Sequence, residues 1–187
     1  MNYANIKYCD IANGEGVRTT IFVSGCTHHC KHCFQPETWS FSYGDAFGQD
    51  VLDKIVASLD DVFVDGLTLL GGEPMEPANQ RGLLPLVRAA KAAHPEKTVW
   101  CYTGDVYEDL LDPASARHTE VTDELLGLID VLVDGPYVED LHDITLRFRG
   151  SSNQRIIDLA ATRAAGEVRL WADDPQFAAH AWVDPGR

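Results

Sequence analysis

The sequence predicts an α/β fold in which a mainly parallel sheet is covered by helices. The first supporting observation is size, since 187 residues, of which 45% are hydrophobic, are enough for one substantial core. The second is a series of short, uninterrupted apolar runs, which are typical of strands buried on both faces. The third is that segments with helical spacing alternate with those runs. We therefore expect residues 1–187 to form a single domain.

Four apolar runs are predicted to be strands: residues 19–23, 67–70, 98–102 and 131–133. The first is rich in β-branched and aromatic residues and leads directly into a group of cysteines. The others end at Gly71-Gly72, at Thr103-Gly104 and at Asp134-Gly135. Because the C-terminal ends of parallel strands meet at one edge of a sheet, where ligands collect, these ends form the predicted site.

The segments between the strands carry helical patterns. Residues 51–59 repeat apolar side chains at helical intervals, with Asp50 as the N-cap. Residues 83–93 are predicted to be helical with Pro85 in the first turn, where a proline is tolerated. Two shorter helices are predicted on either side of an Asp-Pro break: residues 105–111 and 122–128.

The charge balance excludes two classes of partner. Against 15 Lys+Arg the chain has 29 Asp+Glu, a net charge of −14, which disfavours binding to nucleic-acid backbones and to anionic membranes. The N-terminus carries no apolar block like that of a secretory signal, and no apolar run is long enough to cross a membrane. We therefore expect a cytoplasmic protein that binds neither nucleic acid nor membrane.

Three of the five cysteines are concentrated in the cysteine loop, residues 26–33. Cys26, Cys30 and Cys33 have the spacing C-x3-C-x2-C, which can bring three thiols around one inorganic centre and indicates a metal rather than disulfides. A [4Fe-4S] cluster normally takes four thiolates, so three would leave one iron open to a further ligand. Cys9 and Cys101 are interpreted as small hydrophobic residues, although Cys9 could supply a fourth thiolate.

A structural zinc site is the alternative for the same loop. Cys3His is an ordinary zinc ligand set, and the loop contains His28, His29 and His32. A histidine beside a metal site is also compatible with a merely solvated side chain. The cysteine loop alone therefore leaves both kinds of metal centre open.

The glycine turn, Gly71-Gly72-Glu73-Pro74, directly follows the second predicted strand. Its two glycines let a ligand approach the backbone closely, and Pro74 stiffens the exit of the turn. The Glu73 carboxylate can hold an ammonium group. A simple turn without a ligand explains the same four residues equally well.

Together, the cysteine loop and the glycine turn resemble the radical S-adenosylmethionine (SAM) enzymes. The resemblance implies a partial (β/α) barrel with SAM as a cofactor. It implies that three cysteines hold a [4Fe-4S] cluster: Cys26, Cys30 and Cys33. It also implies that the methionyl end of SAM is held by Gly71, Gly72 and Glu73. The adenine would lie along His32, Cys33 and Phe34.

A narrower resemblance, to the glycyl-radical activating enzymes, rests on residues 13–18 (Asn-Gly-Glu-Gly-Val-Arg), residues 20–26, Phe34 and Thr38-Trp39. Within that family, two segments resemble the members that act on an anaerobic ribonucleotide reductase: residues 131–135 and 149–155 (Arg-Gly-Ser-Ser-Asn-Gln-Arg). The matching motifs run from about residue 13 to residue 157 and so cover most of the chain.

The resemblance implies radical chemistry on a partner protein. A reduced cluster delivers one electron to SAM, and the resulting 5′-deoxyadenosyl radical removes a hydrogen atom from a glycine on the glycyl-radical subunit of the anaerobic ribonucleotide reductase. The electrons are expected from a flavodoxin- or ferredoxin-like donor. Such donors are acidic, so the nearly neutral segment around Arg18 and Lys31 is the expected docking face.

Four further polar residues near the strand ends are predicted to contact SAM: Thr103, Asp134, Ser152 and Asn153. Each is also compatible with a turn or a backbone cap. Residues 112–119 look like a local insertion relative to the family. Residues 168–187, with Trp171, Phe177 and Trp182, have no counterpart in it and are expected to form an amphipathic layer over the barrel edge.

Three other functions could use the same motifs. A sister radical SAM enzyme, either a pyruvate formate-lyase activator or a deazapurine synthase, is disfavoured by residues 149–154. A zinc-stabilised binding module without catalysis is disfavoured by the glycine turn. A simple iron–sulfur electron carrier is disfavoured because a fourth clustered thiolate is missing.

Overall fold

A seven-stranded mixed sheet forms the centre of the computed structural model, which describes residues 1–172. The strands are β1 (Asn2–Asp10), β2 (Arg18–Val23), β3 (Asp45–Ala46), β4 (Gly66–Gly71), β5 (Thr98–Tyr102), β6 (Val131–Asp134) and β7 (Arg155–Asp158). They lie in the order β3-β1-β2-β4-β5-β6-β7. β2, β4, β5 and β6 are parallel, whereas β1 pairs antiparallel with β2 and β3, and β7 with β6. The prediction of an α/β fold with a mainly parallel sheet is confirmed.

The described part of the chain contains five α-helices: α1 (Gln49–Ser58), α2 (Pro77–Ala93), α3 (Tyr107–Leu111), α4 (Thr122–Leu128) and α5 (Leu159–Ala165). Two short 3-10 helices, Pro36–Trp39 and Glu139–Leu141, lie in the loops after β2 and β6. Because α1, α2 and α4 follow or precede parallel strands, they return the chain to the start of the next strand. The loops at the opposite, C-terminal strand ends are thereby left to form a site.

The outer face of the sheet carries the apolar core. Alternate residues of the parallel strands, among them Ile21, Leu69 and Leu132, are fully buried against the helices. Leu83 and Val87 of α2 belong to the same core. Since successive side chains of a strand point to opposite faces, their neighbours in sequence are directed to the inner face.

The inner face is polar near β2 and β4 and aromatic at β5. Arg18 is 1% exposed. Its guanidinium donates hydrogen bonds to the Thr68 hydroxyl and to the backbone carbonyls of Leu67 and Thr98, and it lies over the ring of Trp100. The expectation that Arg18 contributes to a docking face is therefore wrong, because its charge is enclosed in the sheet.

The helix predicted at residues 83–93 begins six residues earlier, at Pro77. Proline is favoured at the first helical position, where its missing N–H would be unpaired in any case. Pro85 consequently lies in the interior of α2 and not in its first turn. Asp50 is not the N-cap of α1 either: Gly48 has that position and Asp50 lies in the first turn, where a negative charge favours the helix dipole.

Three strands, β1, β3 and β7, and the helix α5 were not recognised in the sequence. Two register shifts interrupt the pairing of β1 with β2 and break the alternation of its side chains. In contrast, α5 has clear end signals: the Asp158 carboxylate accepts a hydrogen bond from the Ala161 N–H (2.8 Å), and Gly166 follows in the left-handed conformation.

Of the C-terminal tail, residues 168–172 are described. Trp171 packs edge-on against Trp100 on the inner face, with ring centres 5.2 Å apart. The rest of the expected amphipathic layer, with Phe177 and Trp182, lies outside the described residues. Within residues 1–172, no helix combines the length and the apolar character needed to cross a membrane.

Candidate metal and cofactor site

The C-terminal ends of β2, β4 and β5 open into a cavity of about 540 Å³, a volume in the range of small-molecule sites. The predicted residues of the cysteine loop and the glycine turn line it: Cys26, Cys30, His32, Cys33, Phe34, Gly71, Gly72 and Glu73. The structure therefore brings together, at one edge of the sheet, two motifs that lie some forty residues apart in the chain.

The cysteine loop makes two sharp turns. His29 and His32 have φ angles of 49° and 59°, in the left-handed region that non-glycine residues seldom adopt. His29 stacks on Trp39 with ring centres 4.6 Å apart, and the Cys33 N–H donates to the Cys30 carbonyl (3.2 Å). Such backbone positions cost about 1–3 kcal/mol each and are concentrated at functional sites. These two turns direct all three cysteines towards the cavity.

The three cysteines suit a large inorganic centre. Cys26 is buried, Cys30 and Cys33 are half-buried, and all are free thiols. The Sγ atoms of these three cysteines, all in the described part of the chain, do not all lie within 4.8 Å of one another. A single zinc ion about 2.3 Å from each sulfur would bring them to about 3.8 Å. Soft thiolates at wider separation fit a [4Fe-4S] cluster better.

The protonation of Cys26 is coupled to metal binding. Desolvation raises the pKa of Cys26 to about 11, and hydrogen bonds from the backbone N–H groups of His28 and His29 oppose this shift. Metal ligation requires the thiolate, so loading displaces the proton. The same two amides then stabilise the bound thiolate.

The three loop histidines have other contacts. His28 Nε2 lies 3.0 Å from Glu73 Oε2, and His32 Nε2 lies 3.2 Å from Glu139 Oε2. His29 is stacked as described above. A Cys3His zinc site would need one of these rings to leave its contact, so the geometry disfavours the zinc alternative.

His28, Glu73 and Asp105 form a compact ionic cluster beside the cavity, with their polar atoms within 4.8 Å of one another. Hydrogen bonds to Asp105 and then to Glu73 raise the pKa of His28 to about 10, so that the imidazole is positively charged at neutral pH. Because the three residues come from different loops, this cluster links the cysteine loop to the ends of β4 and β5.

Glu73 retains one acceptor position. Its Oε1 accepts a hydrogen bond from the Met75 N–H (2.7 Å), and its Oε2 accepts from the Gly104 N–H (2.8 Å) and contacts His28. A carboxylate offers about four acceptor positions. Glu73 is 1% exposed and lines the cavity, so its carboxylate borders the cavity with one acceptor position that these three donors do not use.

The two glycines of the glycine turn are required by the protein backbone itself. Gly71 has a φ of 111°, and a Cβ on it would lie 2.5 Å from backbone atoms of Val23. A Cβ on Gly72 would lie 2.7 Å from the Gly25 carbonyl oxygen. The glycines therefore make room for the chain that leads into the cysteine loop. The sequence had suggested only that they make room for a ligand.

The remaining predicted SAM contacts are distributed unevenly. Thr103 lines the cavity. Asp134 does not, because its carboxylate is fully buried and pairs with Arg155. Ser152 and Asn153 are also outside the lining; the Asn153 amide donates to a backbone carbonyl (2.8 Å).

Several residues of the site were not singled out from the sequence. Gln154 lines the cavity, and its Oε1 accepts from the Gly150 N–H (2.9 Å); it lies within the recognised motif of residues 149–155. Glu76 and Arg117 form a buried ion pair next to the cysteine loop. No local pattern marks these two, because they meet only in the folded chain.

Comparison with known proteins agrees with this geometry. Residues 12–157 match the model of a protein family described as a 4Fe-4S single cluster domain. The chain is 44% identical to the anaerobic ribonucleoside-triphosphate reductase-activating protein of Vibrio cholerae, over 83% of this chain and 97% of that protein. Proteins of the same name from Escherichia coli K12 (42% identical, 82% and 96% covered) and from Enterobacteria phage T4 (37%, 83% and 93%) are also similar.

Proposed function

The chain belongs to the family of anaerobic ribonucleoside-triphosphate reductase-activating proteins, and we propose that it activates an anaerobic ribonucleotide reductase with a [4Fe-4S] cluster and SAM. The observation that supports this most directly is the shared cavity: three half-buried or buried thiols and the Glu73 carboxylate face one space at the strand ends. In this proposal Cys26, Cys30 and Cys33 ligate the cluster.

When bound, the cluster and SAM supply the radical chemistry, in which reductive cleavage of the sulfonium leads to loss of a hydrogen atom from a glycine of the reductase. The chain's own residues bind the cluster and SAM and orient them. The free acceptor position of Glu73 receives the methionyl ammonium, a charge-assisted hydrogen bond. The exposed ring of Phe34, 74% accessible, is available to stack on the adenine.

The partner enters from the open side of the cavity. A glycine has no Cβ, so its Cα can approach a reacting centre closely, and its backbone adopts unusual conformations at low cost. On the side of the sheet, the apolar and aromatic residues that β5, β6 and β7 direct to the inner face limit the access of water to the site.

A flavodoxin- or ferredoxin-like protein is proposed as the electron donor. Of the two basic residues expected at its docking face, Lys31 lies in the cysteine loop with 80% of its side chain exposed, and its ammonium forms a surface ion pair with Glu139 (3.2 Å). We also place the reaction in the cytoplasm, because the cysteine loop must keep its thiols reduced to bind a metal centre and a reducing compartment maintains that state.

The test is anaerobic reconstitution with iron and sulfide, followed by iron counting and electron paramagnetic resonance (EPR) with and without SAM. We expect about four irons per chain, from the cluster type, and a reduced signal that changes when SAM is added. Mixing the reduced protein and SAM with the anaerobic ribonucleotide reductase of the same organism should produce a glycyl-radical signal on the reductase.

The matched control is a reductase in which the target glycine is replaced by alanine, which should give no radical. Stoichiometric zinc without iron after anaerobic isolation would contradict the proposal. A radical formed only on a pyruvate formate-lyase, or productive SAM cleavage only with a small purine-like substrate, would place the chain elsewhere among radical SAM enzymes.

A further inference from the structure

We propose that Arg117 is a positioning residue that holds the cysteine loop in its ligand-binding conformation. This inference rests on the proposed function, since it concerns how the loop presents its thiols. Arg117 lies in residues 112–119, the segment for which the sequence suggested no role. Its side chain is mostly buried, with 16% exposed.

The guanidinium of Arg117 joins three separate parts of the site. Its Nη1 forms an ion pair with Glu76 Oε2 at the start of α2. Its Nη2 donates to the Thr27 hydroxyl (2.9 Å). Its Nε donates to Asp105 Oδ1 (3.3 Å) and forms an ion pair with Oδ2 of the same carboxylate (3.0 Å), after β5. A planar guanidinium can satisfy three such acceptors at once, which a lysine cannot.

Glu76 completes the contact with the cysteine loop. Its Oε1 accepts hydrogen bonds from both the N–H (2.8 Å) and the hydroxyl (2.6 Å) of Thr27. Thr27 directly follows Cys26, so these bonds fix the backbone at the first turn out of β2. Arg117 and Glu76 together thus hold Thr27 through its backbone and its side chain.

The charges in this region need Arg117. Glu73, Glu76 and Asp105 bring three carboxylates to the loop, and the Arg117 guanidinium contacts two of them, Glu76 and Asp105. Glu76 is 4% exposed. A buried carboxylate that loses its cation is strongly destabilised, and it either takes up a proton or gains access to water when the surrounding segment opens. Without Arg117 the segment most able to open is the cysteine loop, because it is connected through Thr27.

Arg117 is itself well anchored on α2. Its backbone carbonyl accepts a hydrogen bond from the side chain of Gln80 (2.7 Å), which is fully buried. Its N–H donates to the Ser115 hydroxyl (3.2 Å). The segment of residues 112–119 therefore presents the guanidinium from a fixed base, as a positioning role requires.

Hydrogen–deuterium exchange of the metal-free protein tests the contact without any cofactor. In Arg117→Ala we expect amide exchange in residues 27–33 to accelerate by roughly tenfold or more, the effect of losing one charged hydrogen bond. Exchange in β2 and α2 should change much less. Arg81→Ala is the control, because Arg81 also pairs with a glutamate, Glu120, but is 50% exposed, and within the described residues its side chain donates hydrogen bonds only to Glu120 and Pro77.

A rescue experiment separates positioning from general stability. Low-millimolar guanidinium should restore slow exchange in residues 27–33 of Arg117→Ala, whereas the same concentration of urea should not. Arg117→Lys, which keeps the charge but not the fork of donors, should be intermediate. If Arg117→Ala fails to fold, Glu76→Gln provides the same test, because it removes the charge that Arg117 pairs with.

The reconstituted protein provides a second readout. Arg117→Ala should show an altered EPR signal of the reduced cluster and a weaker response to SAM, and Arg81→Ala should match the wild type. Wild-type exchange in residues 27–33 of a folded Arg117→Ala, or equal acceleration throughout the domain, would overturn the inference. If the wild type loads no cluster, the proposed function fails, while the exchange experiment still decides the role of Arg117.

Discussion

The outer and inner faces of the same sheet are both buried, but they are buried for different reasons. Outer-face residues such as Leu69 and Leu132 pack against helices in a continuous apolar core. Inner-face residues such as Arg18 and Thr68 are equally inaccessible but polar. Burial alone therefore does not distinguish the core from the site in this fold. The two are distinguished by whether the buried side chains of a strand are apolar, as on the outer face, or polar, as on the inner face.

The inner face also changes along its length. At the base, Arg18 is fully satisfied by hydroxyls and backbone carbonyls. Burial lowers its pKa to about 10, so it remains charged at neutral pH. Next along this face, Tyr102 lines the cavity, but its hydroxyl is buried and has no hydrogen-bond partner among the described residues. Since most buried polar groups in folded proteins are paired, this hydroxyl is an exception on the inner face.

The largest expected effect is the loss of cluster loading when a cysteine that lines the cavity is replaced. Cys33→Ala should abolish cluster loading while changing the free energy of unfolding of the metal-free protein by less than about 0.5 kcal/mol, because this side chain is half-exposed. Iron counting and urea unfolding measure the two effects. Cys9→Ala is the control and should retain the iron; loss of iron in it would indicate a four-thiolate site.

Adjacent leucines on opposite faces provide the next comparison. Leu69→Ala on the outer face should lower the free energy of unfolding by about 2–5 kcal/mol, the usual cost of a core cavity. Leu70→Ala should cost clearly less, because Leu70 is half-buried and lines the cavity. Urea unfolding of both variants decides; equal losses would contradict the distinction between the faces.

Glu73→Gln tests the ligand position beside the glycine turn. Loss of the charge should weaken SAM binding by about 1.5–3 kcal/mol, the value of a charge-assisted hydrogen bond. Calorimetry on the reconstituted protein measures this, and iron content should be retained. Unchanged SAM affinity would mean that Glu73 serves only its three protein donors.

The acid stability of the molecule depends on Glu76. Burial raises the pKa of Glu76, but hydrogen bonds from Thr27 and Arg117 outweigh it and hold the pKa below its ordinary value of 4.5. A depressed folded-state pKa adds stability above pH 4.5 that is lost as the pH falls through the folded value. The stability difference between wild type and Glu76→Gln should therefore narrow on acidification. A difference that is constant between pH 7 and pH 3 would contradict this.

The smallest effect is expected for the unpartnered hydroxyl on the inner face. Tyr102→Phe should change the free energy of unfolding by less than about 1 kcal/mol, because no hydrogen bond within the described residues is lost. Thermal unfolding of the metal-free protein measures it. A large destabilisation would show that the hydroxyl has a hydrogen-bond partner in the folded protein and that the polar groups of the inner face are all paired.

The sequence by itself determined the class of fold and the edge of the sheet that carries the site. Short apolar runs that alternate with segments of helical spacing indicated parallel strands. The strand at residues 98–102 and the helix at residues 122–128 have the predicted bounds. The cysteine loop and the glycine turn were recognisable because their chemistry depends on close spacing. Local patterns of this kind are visible wherever the determining contacts lie within one element.

The tertiary structure alone decided which buried residues belong to the core and which to the site. Arg18 bonds to Thr98, 80 residues away, and Arg117 bonds to Thr27 across 90 residues. The glycines of the turn are required by backbone from another strand. No periodicity along the chain records such contacts, because they depend on the pairing of distant strands and on side chains that meet only once the sheet has assembled.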